Sequence, residues 1–265
     1  MAFYLIAPAP MYREKVAPAQ RLDGDETIGA PHCPPALVTC DNVPTIQPHS
    51  ERPTMTSRLI VMDIDSTLIN QEVIDLLGEE AGMGGQVARI TERAMRGELD
   101  FKQALEERVG LLAGLDESVF ERTFERVTFT PGALELVRSA HSKGWKVGVV
   151  SGGFHEVADK IVAAAGIDFC LANRLEVVDG KLTGKLAADI VTKESKLIQL
   201  LDWAVECGVD MAHTVAIGDG ANDIPMIQAA GTGIAFCAKP KTREAAPFAI
   251  DERNLMLAMD IILRD

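Results

Sequence analysis

Short apolar runs alternate with amphipathic stretches from residue 58 towards the end of the chain. The runs predict strands at 58–63, 145–151, 168–172, 213–218, 232–236 and 248–250. Stretches with helical periodicity lie between several of these runs, notably at 132–143, 154–165 and 193–207. Because strands that alternate with helices pair in parallel, this order predicts an α/β fold built on a doubly wound parallel sheet.

The span 76–129 interrupts this alternation. Its pattern is helical throughout and contains no predicted strand; Leu105 and Leu112, for example, share one helix face. An insertion of this kind after the first strand is predicted to form a small helical cap over the carboxyl edge of the sheet. The core domain would then consist of 58–75 and 130–265.

Two further segments fall outside the alternation. Residues 171–186 are predicted to form a hairpin that turns at Asp179-Gly180. Residues 1–57 hold nine of the thirteen prolines and show no sustained period, so we expect a disordered or irregular extension. An early choice of start codon would also explain this segment, since Met55 directly precedes the first strand.

Composition and charge narrow the class of partner. The 265 residues are 47 % hydrophobic, enough to bury a core, and carry a formal net charge of −13. Such a chain is repelled by nucleic acids and anionic membranes, so we expect a small-molecule substrate and neither of those partners. No apolar run approaches the roughly 20 residues of a membrane span. Five scattered cysteines and no signal-peptide pattern indicate reduced thiols and a cytoplasmic protein. We expect a monomer or a homodimer, although the sequence does not fix which.

Two carboxylates follow the first predicted strand. Asp63 and Asp65 lie two positions apart at its carboxyl end, the edge where open α/β sheets bind ligands. One carboxylate there can attack phosphorus while the other transfers a proton, and Mg²⁺ can relieve the repulsion between the anions. Asp63 is therefore a candidate nucleophile and Asp65 a candidate acid–base group. Taken alone, two acidic residues at a strand end are as typical of an ordinary loop.

A second acidic motif, Gly218-Asp-Gly-Ala-Asn-Asp223, follows another apolar strand. Asp219 suits a magnesium ligand, and Asp223 suits a weaker ligand or a carboxylate that supports the ligands. Asn222 can hydrogen-bond a phosphate or substrate oxygen. Gly-Asp-Gly is a common turn on its own, but its pairing with the first motif across one sheet favours a metal site.

Two further features suit an anionic group. Ser151-Gly-Gly ends a predicted strand, where a hydroxyl and the amides of Gly152 and Gly153 can cradle a phosphoryl group. Lys196 lies in the first turn of a predicted helix, where it opposes the helix dipole and could hold phosphoryl oxygens. A plain strand-to-helix turn and an exposed lysine are the respective alternatives.

Two charged residues remain open from pattern alone. Arg108 shares a helix face with Phe101 and Leu105, so its guanidinium extends to the surface, pairs with a carboxylate or meets a ligand carboxylate. Glu72 lies at a helix start, where the dipole alone favours it. Met95 and Phe101 line a pocket wall or pack in the core.

Together these residues resemble the haloacid dehalogenase-like phosphatase superfamily. Its four motifs appear in order as Asp63-Ile-Asp-Ser-Thr, Ser151-Gly-Gly, Lys196 and Gly218-Asp-Gly-Ala-Asn-Asp223. Within that superfamily, residues 58–265 are similar to the phosphoserine phosphatase family, on segments such as Glu107-Arg-Val-Gly-Leu-Leu112 and Ala235-Phe-Cys-Ala-Lys-Pro240. The resemblance implies a Rossmann-like core and Mg²⁺-dependent hydrolysis of O-phospho-L-serine through an aspartyl phosphate, the last step of L-serine biosynthesis.

The resemblance also assigns roles. Asp63 would be the nucleophile and Asp65 the acid–base group, while Asp63, the Asp65 carbonyl and Asp219 would hold Mg²⁺. The residues implied to bind substrate are Ser151, Gly152 and Lys196 for the phosphoryl group, with Asn222 nearby, and Glu72 and Arg108 for the amino and carboxylate groups of serine.

Three other functions fit parts of the pattern. A phosphatase or a phosphotransferase of this superfamily could act on another small phosphomonoester. A catalytically inactive binding protein would be expected to lack Asp63, Asp65, Lys196 or Asp219, and all four are present.

Overall fold

A six-stranded parallel sheet forms the centre of the protein. The structure is a computed structural model that describes residues 57–264, so the extension expected over 1–57 lies outside it except for its last residue. The strands of the described residues are β1 (Leu59–Met62), β2 (Lys146–Phe154), β3 (Phe169–Asn173), β4 (Leu175–Val178), β5 (Lys181–Leu186), β6 (Thr214–Gly218), β7 (Thr232–Phe236) and β8 (Phe248–Ile250). The spatial order of the sheet is β3-β2-β1-β6-β7-β8, and β4 and β5 form a separate antiparallel pair.

Helices cover both faces of this sheet. Along the described residues they are α1 (Val73–Glu80), α2 (Gly84–Met95), α3 (Phe101–Gly110), α4 (Val119–Glu125), α5 (Ala133–Ser142), α6 (His155–Ala165), α7 (Lys193–Glu206), α8 (Ile224–Ala229), α9 (Pro240–Ala245) and α10 (Leu257–Ile262). None of the helices in the described range is long and apolar enough to cross a membrane.

The two faces of β1 explain why the sheet is doubly wound. All four of its residues are fully buried. Ile60 and Met62 pack in one cluster with residues of α5, α6 and α10, whereas Leu59 and Val61 pack in another with residues of α7 and α8. Successive side chains of a strand point to opposite faces, so a continuous apolar run is what a strand covered on both faces requires. The predicted fold class is therefore confirmed.

The register of β1 brings the polar motifs together. Met62 is level with Val149 of β2 on one side and with Ile217 of β6 on the other. The residues that follow these three positions therefore meet at one carboxyl edge of the sheet.

Helices α1 to α4 form an insertion between β1 and α5. The two linkers that join it to the core pair with each other, because Asn70 N donates to Thr128 O at 3.0 Å and Thr130 N donates to Leu68 O at 3.0 Å. Helix α1 begins at Val73, three residues before the predicted insertion, and non-helical turns separate the helices.

The hairpin is shorter than predicted. Its turn at Asp179-Gly180 is confirmed, with positive φ angles of 51° and 72° that suit a tight hairpin turn. The start predicted at 171 is wrong, because Leu171 pairs in parallel with Val150 and belongs to β3. The hairpin instead begins at Leu175 and reaches the insertion, where Gly114 N donates to Leu182 O at 2.8 Å.

Gly132, which opens α5, offers a test of the packing around the second linker. Its φ is +79°, and a Cβ atom would lie 2.3 Å from Asn254 Oδ1. We expect Gly132→Ala to lower the free energy of unfolding by about 3 kcal/mol, through backbone strain plus overpacking. The control is Gly166→Ala, at a φ of +71° with nothing within 4 Å of the added atom, which should lose about 1 kcal/mol. Urea denaturation measures both losses, and equal losses would contradict the packing argument.

Candidate active site

Carboxylates from two neighbouring strands meet at the carboxyl edge of the sheet. Asp63 follows β1 and extends its pairing by one step, because its backbone N donates to Ile217 O at 3.0 Å. Asp219 directly follows β6, the strand beside β1. The two motifs predicted to cooperate therefore lie side by side although more than half the chain separates them.

Asp65 is held in a sharp turn over Ile64–Leu68. Its Oδ1 accepts from Val73 N at 2.9 Å, at the start of α1, and its Oδ2 accepts from Ser151 Oγ at 3.2 Å. Burial, together with the nearby charge of Glu72, raises the pKa of Asp65 to about 7. A carboxyl group with such a pKa can donate or accept a proton near neutral pH.

Lys196 is buried between two carboxylates. Its Nζ lies 2.9 Å from Asp63 Oδ1 and 2.7 Å from Asp223 Oδ1, and its side chain is only 1 % exposed. The structure therefore excludes the exposed-lysine alternative. Burial alone lowers the pKa of Lys196, but the attraction of Asp63 and Asp223 is stronger in sum and raises it, so the ammonium stays charged.

The position of Lys196 follows from a helix cap. Thr192 begins α7 as its N-cap and accepts from Ser195 N at 3.3 Å, while Ser195 Oγ accepts from Thr192 N in return. This reciprocal capping fixes the helix start, which places Lys196 in the first turn above the carboxylates.

Asp63, Asp219 and Asp223 form a group that could hold a metal ion. One carboxylate oxygen from each lies within 4.8 Å of the others. An all-oxygen donor set of this kind fits a hard divalent cation rather than zinc or copper. Burial raises the pKa of Asp63 well above its ordinary value, with the charge of Asp223 as the next cause, and burial raises that of Asp219 to about 6. A cation at this position would favour the ionised forms of both groups.

Asp223 is the most deeply buried member of this group. It is fully buried, and its second oxygen accepts from Gly220 N at 3.0 Å. A Cβ atom on Gly218 would lie 2.5 Å from the Asp223 carboxyl carbon, so glycine is required where β6 ends. Its pairing with Lys196 gives Asp223 a supporting position, while Asp219 lines the open cavity.

The Ser151-Gly-Gly segment differs from its prediction. The glycine turn expected after residue 151 is wrong, because β2 continues through Gly152 and Gly153 to Phe154, and α6 begins only at His155. Pairing of Phe154 with Asn173 of β3, after a register shift, extends the strand. The Gly153 amide donates to Ser151 Oγ at 2.8 Å, which orients the hydroxyl towards Asp65.

Sequence reasoning gave no role to Asn173, a buried residue beside this segment. Its Nδ2 donates to Gly152 O at 2.8 Å, and its Oδ1 accepts from Val191 N at 2.7 Å. Asn173 thus fixes Gly152 relative to the chain that leads into α7 and Lys196. Its one sequence signal is the segment Ala172-Asn-Arg-Leu175, which also resembles the phosphoserine phosphatase family.

A cavity of about 940 Å³ lies between the sheet edge and the helical insertion. Its floor carries the carboxylates and Gly152, and its walls include Glu72, Met95, Phe101, Arg108 and Asn222. Met95 is 78 % exposed and Phe101 44 %, so neither packs in the core. The Phe101 ring lies over Gly152, at 3.6 Å from where a Cβ atom would be.

Arg108 and Glu72 supply opposite charges to this cavity. Arg108 Nε donates to Ala104 O at 3.1 Å, and no carboxylate oxygen of the described residues lies within the 4.0 Å ion-pair distance of its guanidinium. Burial lowers the pKa of Arg108, against the attraction of Asp75 and Glu72. Glu72 Oε1 accepts from Ser66 Oγ at 2.7 Å. The Arg108 guanidinium is therefore a half-buried cation without a carboxylate partner among the described residues, which suits an anionic ligand.

A parallel sheet that carries carboxylates and a buried lysine at its carboxyl edge is the arrangement expected of a haloacid dehalogenase-like hydrolase. Comparison with known proteins agrees with this class. The family model of haloacid dehalogenase-like hydrolases matches residues 60–228, so the chain belongs to that family. The phosphoserine phosphatase of Streptococcus thermophilus is 59 % identical over 204 residues, which cover 77 % of this chain and 95 % of the relative. That of Methanocaldococcus jannaschii is 44 % identical over 75 % of this chain and 94 % of its own.

Solved structures are similar as well. A structure described as a phospho-aspartyl intermediate analogue of phosphoserine phosphatase has a TM-score of 0.73 and 43 % identity, over 78 % of this chain and 99 % of its own. A substrate-bound phosphoserine phosphatase complex has a TM-score of 0.73 and 42 % identity, over 78 % and 98 %. The resemblance read from the sequence motifs is therefore confirmed.

Removal of the buried lysine tests the charge balance of the site. We expect Lys196→Met to lower the free energy of unfolding in metal-free buffer by about 3–5 kcal/mol, because buried carboxylates lose their cation. Lys193→Met is the control, since Lys193 is 58 % exposed and, within residues 57–264, pairs only with its neighbour Glu194.

The deficit of Lys196→Met should also depend on pH. Without the ammonium, the pKa of Asp63 rises further above its unfolded value. A carboxyl group with a raised folded pKa binds more protons when folded, so stability falls as pH rises through the interval between the two pKa values. The deficit should thus be larger at neutral than at acidic pH in urea denaturation; a deficit independent of pH would contradict the charge balance.

Proposed function

We propose that the protein is a Mg²⁺-dependent phosphoserine phosphatase that converts O-phospho-L-serine and water into L-serine and phosphate. One observation carries this proposal. A single cavity joins the carboxylates around Lys196 on its floor to Glu72 and Arg108 on its walls, and Arg108 has no carboxylate partner among the described residues. A phosphorylated amino acid has a phosphate at one end and an ammonium and a carboxylate at the other. The cavity offers a complementary group for each.

The phosphoryl group belongs on the floor of the cavity. Asp63, the carbonyl of Asp65 and Asp219 would hold Mg²⁺, which when bound would neutralise the charge of the phosphate and of the attacking carboxylate. Lys196 supplies a fixed positive charge beside Asp63. Ser151, Gly152 and Asn222 offer the remaining hydrogen bonds to phosphoryl oxygens.

Two steps follow from the positions of Asp63 and Asp65. In the first, an Asp63 oxygen attacks phosphorus, the bond to the serine oxygen breaks, and Asp65 gives its proton to that oxygen. In the second, Asp65 takes a proton from water, whose oxygen attacks the aspartyl phosphate and releases phosphate and the Asp63 carboxylate. The pKa of Asp65, raised to about 7 by burial and Glu72, supports both proton transfers.

Recognition of serine belongs to the walls. Arg108 pairs with the substrate carboxylate and Glu72 with the ammonium group, so the substrate provides the carboxylate that Arg108 lacks among the described residues. The reaction would complete L-serine biosynthesis. The scattered cysteines support a cytoplasmic enzyme.

The direct test is phosphate release from a panel of esters. With Mg²⁺, we expect the purified protein to hydrolyse O-phospho-L-serine much faster than O-phospho-L-threonine or sugar phosphates, and EDTA should abolish the activity. Asp63→Asn, which cannot form the acyl phosphate, is the inactive control. Rapid hydrolysis of another ester but not of phosphoserine would overturn the substrate assignment. A phosphorylated product formed from an added acceptor alcohol would indicate a phosphotransferase.

Arg108 provides the sharper test of specificity. We expect Arg108→Ala to raise KM for O-phospho-L-serine by about 100-fold, because the substrate carboxylate loses a charge-assisted partner. KM for p-nitrophenyl phosphate, which has no carboxylate, should hardly change. The matched control is Arg93→Ala on α2, because Arg93 pairs with Glu107 outside the cavity. An equal change in KM for both esters would show that Arg108 does not bind the substrate carboxylate.

A further inference from the structure

Arg253 connects the last part of the chain to the turn that carries the catalytic carboxylates. It lies in the loop between β8 and α10. Its Nε donates to Asn70 Oδ1 at 2.8 Å across 183 residues, and its Nη2 donates to Ser66 O at 3.2 Å. A longer contact of 3.5 Å joins Nη2 to Ile69 O. One guanidinium thus grips both ends of the segment Ser66–Asn70.

The first contact matters because this turn is strained. Ser66 has a φ of +57°, a left-handed backbone conformation that residues other than glycine rarely adopt. Such a conformation persists only where the surroundings hold it. The Ser66 carbonyl, which Arg253 holds, is one peptide unit beyond Asp65. Its orientation therefore helps to set the orientation of the Asp65 backbone and side chain.

The second contact reaches the linkers of the helical insertion. The amide group of Asn70 donates to Thr128 Oγ1 at 3.0 Å and to Phe129 O at 3.1 Å, both in the returning linker. Arg253 occupies the remaining oxygen of this amide and so fixes its orientation. In the same loop, Leu255 N donates to Pro131 O at 2.8 Å. The loop therefore touches the catalytic turn and both linkers.

Among the described residues, the Arg253 guanidinium donates hydrogen bonds only to this turn and to Asn70 beside it. All its acceptors are neutral oxygens, and no carboxylate of residues 57–264 lies within 4.0 Å of its guanidinium. By contrast, Arg243 in the neighbouring helix α9 pairs with Asp251. A guanidinium that gives charge-assisted bonds to backbone carbonyls holds a turn more firmly than a neutral donor would.

We propose that Arg253 is a positioning residue for the reaction, which holds the turn so that Asp65 stays aligned for proton transfer. The inference rests on the proposed function for the identity of the substrate and for the proton-transfer role of Asp65. It concerns kcat rather than substrate recognition, because Arg253 is not among the residues that line the cavity.

Kinetics of Arg253→Ala test the proposal on both O-phospho-L-serine and p-nitrophenyl phosphate. We expect kcat to fall by about 100-fold on each ester, since misalignment at a reacting group has this effect, while KM changes by less than about threefold. Arg253→Lys, whose ammonium cannot bond Asn70 and Ser66 together in the same planar fork, should keep an intermediate kcat. Added methylguanidinium should restore part of the activity of Arg253→Ala.

The control is Arg243→Ala, which removes a neighbouring arginine that contacts Asp251 instead of the turn and should keep its kcat. The proposal is overturned if Arg253→Ala keeps kcat within about threefold, or if neither the lysine variant nor methylguanidinium lessens the loss. If Arg253→Ala does not fold, Arg253→Lys decides, because full kcat would overturn the proposal and reduced kcat at unchanged KM would support it. Hydrolysis of p-nitrophenyl phosphate without that of phosphoserine removes only the substrate claim.

Discussion

The buried ammonium of Lys196 between Asp63 and Asp223 is the interaction on which the site depends. Carboxylates at the end of a buried strand would repel one another, and one lysine offsets only part of their charge. Burial is the main cause that raises the pKa of Asp63 in the absence of a bound cation, and the remaining negative charge of the neighbouring carboxylates is the next. A nucleophilic carboxylate must be ionised, so in the proposed reaction the arrangement that would hold a divalent cation also requires this cation before Asp63 could attack.

This charge cluster forms because the sheet brings residues that are distant in sequence to one edge, where they pack closely together. Strand β1 has β2 and β6 as neighbours, so the carboxylates that follow β1 and β6 meet the Ser151 hydroxyl on β2. The close approach needs glycine in both strands that flank β1. A Cβ atom on Gly218 would strike Asp223, and one on Gly153 would lie 2.9 Å from Asp65 Oδ2. These glycines therefore serve side-chain contacts rather than chain flexibility.

The parts predictable from sequence are those with a local signature. Apolar runs predicted the strands, and acidic residues directly after them predicted where Asp63 and Asp219 meet. Burial of Lys196 has no such signature, because its partner Asp223 is 27 residues away and an amphipathic helix start gives no sign of depth. The extension of β2 past Ser151 depends on pairing with β3, and the contacts of Asn173 depend on tertiary packing. No periodicity encodes such contacts.

The cavity divides the proposed work between two parts of the chain. The groups proposed for phosphoryl transfer lie at the sheet edge, where strand register fixes their positions. Arg108 and Phe101, which line the cavity wall, lie on α3 of the insertion. Exchange of the insertion's side chains could therefore change the ester recognised without disturbing the carboxylates. The two parts are still not independent, since Glu72 bonds Ser66 within the turn that carries Asp65. A substrate ammonium drawn to Glu72 would thus act on the same turn that aligns the proton donor, which couples recognition of serine to the chemical step.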